Sequence, residues 1–476
     1  MVGQRRHSMG WVTAAWALAA LLQCTAPQAL ARDAGSGTTG VVGVRVEHLE
    51  AAHWVGRQAA PDAVALPYDR VVARNQRLLA EDDSTRDLGT LPDPLPAAQV
   101  RAWIEDLSAR PRRTLYDAQG DSIGASTIDG WMAALDLQAI PASQPLRYGL
   151  VVQRADLRTF PTTTRVFSRV GDTDIDRFQE NAFFPGTPVV VVHESRDRNW
   201  WFVVGELYAA WVEKRFIAEG DRTQVLGYGK KAPYLVVTGA EVRTTTTPEE
   251  PRVSDLKLDM GVRLPWLRDW PGTRAVNGQA PYASYVVEVP VRGSDGRLSI
   301  VPALLPRTSD VAPDYLPLTQ ANVLRQSFKF LGERYGWGHS YDARDCSGFV
   351  SEVYRSMGVL LPRNTSDQAV SPVYERTALS EADRAQREQA MRDLQVGDLV
   401  YIPGHVMMVI GHENGTPYVI HDTNGGSWLG NNGELVSGRL NGVSVTPLVP
   451  LRLDRERDYV DGVTNIQRLL PAQVSP

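Results

Sequence analysis

Between residues 148 and 306 the chain is cut into apolar, β-branched runs of three to six residues, with turn-forming residues between them. Runs this short are too brief for core helices and read as strands of small closed barrels. The first set comprises Gly149-Leu150-Val151-Val152, Thr187-Pro188-Val189-Val190-Val191-Val192, Trp200-Trp201-Phe202-Val203-Val204 and Ala210-Trp211-Val212, with Arg196-Asp197-Arg198-Asn199 as a turn signal. The second holds Tyr234-Leu235-Val236-Val237, Tyr285-Val286-Val287-Glu288-Val289 and Leu298-Ser299-Ile300-Val301, the last two joined across Gly293-Ser294-Asp295-Gly296 as a hairpin loop. Two small barrels in tandem, over 148–219 and 220–310, are the expectation.

The flanks differ in kind. At ~100–200 residues per domain, 476 residues predict three or four folding units. Residues 67–147 read as a mostly helical segment, in which Val100, Trp103, Ile104 and Leu107 recur on one face. Residues 32–66 are rich in Gly, Ala and Thr and read as a flexible lead-in. Beyond residue 310 the period changes again. Thr319 can cap a helix carrying Leu324, Phe328 and Leu331 on one face, and a second helix should run from about Cys346 to Met357, with Gly358 as terminator. Strands containing Leu399, Val406 and Val419 follow, so 311–476 is an α+β domain. Its charged stretch 371–392, inserted between the helices and the strands, reads as a solvated helix, with a lid as the second reading.

Composition narrows the partners. With 43% hydrophobic and 22% charged residues the chain is an ordinary globular one, and Lys+Arg 50 against Asp+Glu 55 leaves no basic excess for nucleic acid. Arg5 and Arg6 precede the apolar run 11–22, which ends near Ala29-Leu30-Ala31, so residues 1–31 read as a removable secretory signal. Leu21-Leu22-Gln23-Cys24 loosely resembles a lipidation box, but Gln23 stands where a small residue is needed. No later segment approaches the ~20 apolar residues of a membrane-spanning helix. Export to the periplasm or cell envelope is the expected destination.

Of the two cysteines, Cys24 leaves with the leader, and Cys346 remains alone with no internal disulfide to form. It stands where a Gly-rich loop enters a helix. Unpaired N–H groups and the dipole at that terminus favour the thiolate, lowering a cysteine pKa from about 8.5, and the same N–H groups can receive an oxyanion. Such a nucleophile wants an imidazole, and the imidazole wants a third group to hold its tautomer. His405 opens one predicted strand and His421 closes the next, so an antiparallel pair brings both to one end of a sheet; as ordinary half-buried strand histidines they would also fit. His339, in the loop before Cys346, can reach a substrate, whereas His412 in Gly411-His412-Glu413-Asn414-Gly415 reads as a surface turn. The close paired spacings of a structural zinc site are missing, and neither a metal nor a cofactor is expected.

Tyr335-Gly336-Trp337-Gly338, Asp345-Cys346-Ser347-Gly348-Phe349-Val350, Leu361-Pro362-Arg363-Asn364-Thr365-Ser366, Gly397-Asp398-Leu399 and Gly404-His405-Val406-Met407-Met408, in that order, resemble the NlpC family of papain-like cell-wall cysteine peptidases. Upstream, residues 154–162 and 205–212 resemble the bacterial SH3-like domain of its multi-domain members. The resemblance implies an N-terminal helical stabilising segment, two SH3-like barrels and an α+β papain-like peptidase domain. It implies hydrolysis of the bond between γ-D-glutamate and a diamino acid in peptidoglycan stem peptides, through a thioester, with Cys346 as nucleophile, His405 as base and His421 as its orienting partner. Asp345 and Ser347 would meet the free amino end of an L-Ala-γ-D-Glu unit, and the first barrel would add Tyr208 and either Glu180 or Asp176. Trp337, His339, Thr365, Ser366 and Gly404 would line the cleft, His339 replacing a second Gly found in many relatives. Two other readings share these residues: a cell-wall binding protein with a degenerate catalytic domain, and an amidase or acyltransferase on the same fold.

Overall fold

The computed structural model describes residues 39–430 and 433–471. The expected leader, Cys24 included, lies outside them. Among the described residues no helix is long and apolar enough to cross a membrane.

Helices occupy most of 51–139, among them Tyr68–Glu81, Ala97–Leu107 and Ala125–Ala134. Their apolar faces go to different places. Val71 and Leu78 join the core of the C-terminal domain, whereas Val100, Ile104 and Trp131 join that of the first β-unit. The expectation of little order over 32–66 is overturned from residue 39 onward. Short helices Val46–Leu49 and Ala51–Val55 bury Trp54 completely in the C-terminal core, and Glu413 accepts hydrogen bonds from Arg45 and Arg57 while facing His48 Nε2. One large aromatic ring and one ion cluster outweigh the small-residue composition of the segment.

The first β-unit is a seven-stranded antiparallel sheet in the order Gln179–Phe183, Ala155–Arg158, Ala209–Glu213, Trp200–Val204, Pro188–Glu194, Arg147–Val151, Ile217–Gly220. Alternate residues fill its two faces: Val190, Phe202 and Trp211 face one core, Val189, Val203 and Ala210 another. The second unit contains the sheet Arg263–Pro265, Tyr234–Val237, Val311–Ala312 and two hairpins, Glu241–Arg243 with Lys257–Asp259 and Ser284–Arg292 with Leu298–Pro306, around Leu235, Leu258, Val287 and Leu305.

The C-terminal domain is an antiparallel sheet of six strands ordered Glu375–Ala378, Asn465–Arg468, Leu399–Ile402, His405–Glu413, Thr416–Thr423, Gly442–Pro447. The helices Gln320–Phe328 and Cys346–Arg355 cover one face, burying Val323, Phe349, Val350 and Val353 against Val406, Met408 and Ile420. Arg384–Arg392, within the charged insert, covers the other, with Met391 against Val400, Met407 and Val409. Asp383 caps that helix, so its polar face is solvated and its apolar edge is anchored.

Candidate active site

Asp345 caps the helix Cys346–Arg355, its Oδ1 accepting from the Gly348 N–H at 2.8 Å, which places Cys346 in the first turn with 6% exposure. Across the domain, Gly404 takes φ +80° in the turn that starts the strand His405–Glu413, and this strand pairs with Thr416–Thr423. The pairing brings His405 Nε2 to 2.7 Å from His421 Nδ1, and His421 Nε2 to 3.0 Å from Thr446 Oγ1 on the next strand. With His421 Nε2–H donating to Thr446, His421 Nδ1 is left to accept from His405 Nε2–H, and His405 Nδ1 is left as the basic nitrogen. The backbone N–H of Val406, next in sequence to His405, works to lower the Cys346 thiol. Among the described residues no hydrogen bond joins the sulfur to His405.

The expectation of a lowered thiol pKa is corrected. Burial, helped by the Asp345 and Asp422 carboxyl groups, pushes the Cys346 thiol up to about 12 and outweighs the helix terminus. Burial likewise lowers His405 to about 4 and takes His421 well below its ordinary value. The resting pair is neutral thiol and neutral imidazole.

The carboxylate of Asp345 is fully occupied. Arg363 donates to its Oδ2 at 2.7 Å and its Oδ1 at 3.2 Å, the Gly338 N–H adds a bond of 3.0 Å to Oδ2, and the Ser347 hydroxyl lies 3.2 Å from Oδ1. Burial works to raise this acid, but Arg363 and His339 hold it at about 2. Five donors leave it no room for an ammonium group, so the expected contact of Asp345 with an amino end does not fit this structure. Arg363 also reaches the Ser347 hydroxyl at 2.7 Å and Asn181 Oδ1 of the first β-unit at 2.6 Å.

His339 is 3% exposed, with Nε2 at 3.2 Å from Glu352 and Nδ1 at 3.3 Å from Arg363. Burial lowers it to about 4, so it is a neutral spacer between two ions, and it lines a small cavity together with Asn181, Phe184 and Arg363. Glu180 accepts from Thr159 and, at 2.7 Å, from the Tyr208 hydroxyl. Asp176 is instead consumed by Arg158 at 2.6 Å inside the barrel, which separates the two acids that sequence left open. Trp337 is half-buried under the Arg177 guanidinium, Thr365 is half-buried, and Ser366 and Gly404 are exposed. His412, read as a surface residue, is half-buried against the Met391 carbonyl.

Sequence reasoning missed Arg363, Thr446, Tyr335 and Asp422. Arg363 and Tyr335 stand inside the quoted motifs, where residue type alone, an ion and a hydroxyl, was the signal. Thr446 and Asp422 carry no local signal. Among the described residues the one trio of His and acid side chains close enough to hold a metal is His48, His53 and Glu413. It belongs to the opposite end of the His405–Glu413 strand, and Arg45 and Arg57 fill the Glu413 oxygens, which suits an ion cluster better than a cation site.

The domain thus places a buried thiol at a helix N-terminus and a chain of two imidazoles and a hydroxyl on its antiparallel sheet. Residues 332–434 match the NlpC/P60 family, and residues 165–213 match an SH3 domain of the SH3b1 type. A probable endopeptidase p60 of Listeria seeligeri is 30% identical over 112 residues, which are 22% of this chain and 20% of that protein; the chain thus matches about a fifth of this relative's length. The solved structure of an NlpC/P60 endopeptidase from Photobacterium damselae subsp. piscicida superposes with a TM-score of 0.71 at 17% identity, covering 88% of this chain and 97% of that one, and so shares the fold over that stretch. An NlpC/P60 family protein from Bacillus cereus gives 0.46 at 20% identity over 68% of this chain and 100% of its own.

Proposed function

We propose that the chain is an exported cysteine endopeptidase that cuts the γ-D-glutamyl–diamino acid bond of peptidoglycan stem peptides carrying a free N-terminal L-Ala, with the second β-unit as a further SH3-like barrel. The observation that carries this reading is the relay Thr446, His421, His405, whose one uncommitted ring nitrogen is His405 Nδ1, in the same domain as the buried thiol at the helix N-terminus.

In the reaction His405 Nδ1 takes the thiol proton as Sγ adds to the γ-carbonyl carbon, so the thiolate exists only as attack proceeds. The Cys346 N–H, not used by the Asp345 cap, and the buried Tyr335 hydroxyl serve the developing oxyanion. Collapse expels the amine of the diamino acid, which leaves with the proton from His405. A water deprotonated by His405 then hydrolyses the thioester. The half-buried Glu180 carboxylate, oriented by Tyr208, takes the free amino group, in the role that the occupied Asp345 does not fill.

The test is mass analysis of products after incubating wild type and Cys346→Ala with L-Ala-γ-D-Glu-diaminopimelate and its N-acetylated form. Cleavage of the free-amine peptide alone, abolished by the substitution, is the expected result. Equal turnover of both peptides overturns amine selection, and turnover by Cys346→Ala overturns the nucleophile.

A further inference from the structure

The loop leading into Cys346 has an improbable backbone. Gly338, His339, Tyr341 and Asp342 take φ of 56°, 67°, 61° and 56°. Three of these are L-residues in the left-handed region, a conformation that persists only where the surroundings over-determine it. Within it the Gly336 and Ser340 carbonyls accept local bonds from the His339 and Ala343 N–H groups, whereas those of Gly338, His339 and Asp342 need partners elsewhere.

Those partners come from outside the domain. Gln179 of the first β-unit donates to the Gly338 carbonyl at 2.9 Å, and Arg154 donates through one Nη2 to the carbonyls of His339 at 3.1 Å and Ala343 at 2.7 Å. Lys257 of the second unit donates to the Asp342 carbonyl at 2.9 Å. The Tyr341 hydroxyl donates to the Thr173 carbonyl at 2.9 Å and accepts from Arg165 at 2.6 Å. Arg154 is itself anchored by Asp259 of the second unit, whose Oδ1 also receives Arg344, one residue before the helix cap, at 2.8 Å. The fit is close: a Cβ on Gly338 would stand 2.7 Å from the Gln179 carbonyl oxygen.

We infer that the two β-units act as an external mould for the catalytic loop, with Arg154 as the positioning residue that holds His339–Ala343 so that Asp345 and Cys346 are correctly presented. This rests on the reading of Cys346 as nucleophile. The link to the site is direct, because the Gly338 N–H, inside the moulded loop, bonds Asp345 Oδ2, and Asp345 caps the helix that begins with Cys346. A tether that only joined domains would have no reason to spend its donors on four backbone carbonyls of this one loop.

The experiment uses the full chain and the variants Arg154→Met, Arg154→Lys and Lys257→Met. Amide hydrogen exchange of residues 336–345 should rise at least tenfold in Arg154→Met and about threefold in Lys257→Met, while the strands His405–Glu413 and Thr416–Thr423 exchange as in wild type. Arg154→Lys, able to keep Asp259 and one carbonyl, should recover most of the protection. With the free-amine tripeptide, kcat should fall at least tenfold in Arg154→Met with KM within threefold. Unchanged loop exchange, or a rise spread evenly over the domain, overturns the proposal. Should Arg154→Met fail to fold, Lys257→Met decides by the same criterion. Because exchange needs no turnover, a wild type that ignores the peptide defeats the substrate reading and leaves this one decidable.

Discussion

Arg363 grips Asp345 with two guanidinium nitrogens, 2.7 and 3.2 Å from its two carboxylate oxygens, in a site where both residues are buried. Arg363→Met should cost about 3–5 kcal/mol in denaturant unfolding, since it strands a buried carboxylate beside Cys346. The pH dependence has a definite sign. A carboxyl held at about 2 against about 3.9 unfolded contributes stability that is complete above pH 4 and is lost as pH falls toward 2. Urea unfolding of Asp345→Asn between pH 2 and 5 should therefore show a flatter profile than wild type.

The neutral thiol–imidazole pair predicts how free enzyme reacts with alkylating agents. With the Cys346 thiol pushed up to about 12, iodoacetamide modification should rise about tenfold per pH unit from 7 to 10. A plateau between pH 5 and 8 would mean a resting thiolate–imidazolium ion pair instead.

Glu180→Gln removes a charge but keeps the shape, and Tyr208→Phe removes the hydroxyl that orients it at 2.7 Å. Steady-state kinetics should show kcat/KM for the free-amine peptide falling about tenfold to a hundredfold in the first and about threefold to tenfold in the second, as for a lost charged and a lost neutral hydrogen bond.

Asp422 is fully buried and neither of its side-chain oxygens has a hydrogen-bond partner. Burial, with Asp345 and Glu333 nearby, raises it well above the carboxylate range. The folded state thus holds this proton, and stability is lost as pH climbs above the unfolded value of about 3.9. Asp422→Asn should stabilise the protein by on the order of 1–3 kcal/mol at pH 7 and by progressively less toward pH 4, read as the change in unfolding midpoint.

Much of the frame is written in local patterns. The Thr319 cap, the Gly358 terminator and the hairpin around Gly293–Gly296 each depend on neighbours in sequence, and each is found where expected. The His405–His421 approach was legible for the same reason, since two adjacent strands joined by a short turn fix which residues share an end. What depends on distant partners was not. Nothing near Cys346 announces that burial would overrule its helix terminus, nor that Asp345 would be spent on Arg363, eighteen residues away. Nor does the composition of 32–66 announce a buried Trp54, because its pocket is built by residues such as Tyr418, whose ring centroid lies 5.1 Å from its own.

That last packing closes the molecule on itself. A ring from the beginning of the described chain is keyed into the sheet near its end, so a protease that nicked an intervening linker would leave two fragments still clasped together. Any shortened version starting after residue 58 would carry an empty socket in place of the indole.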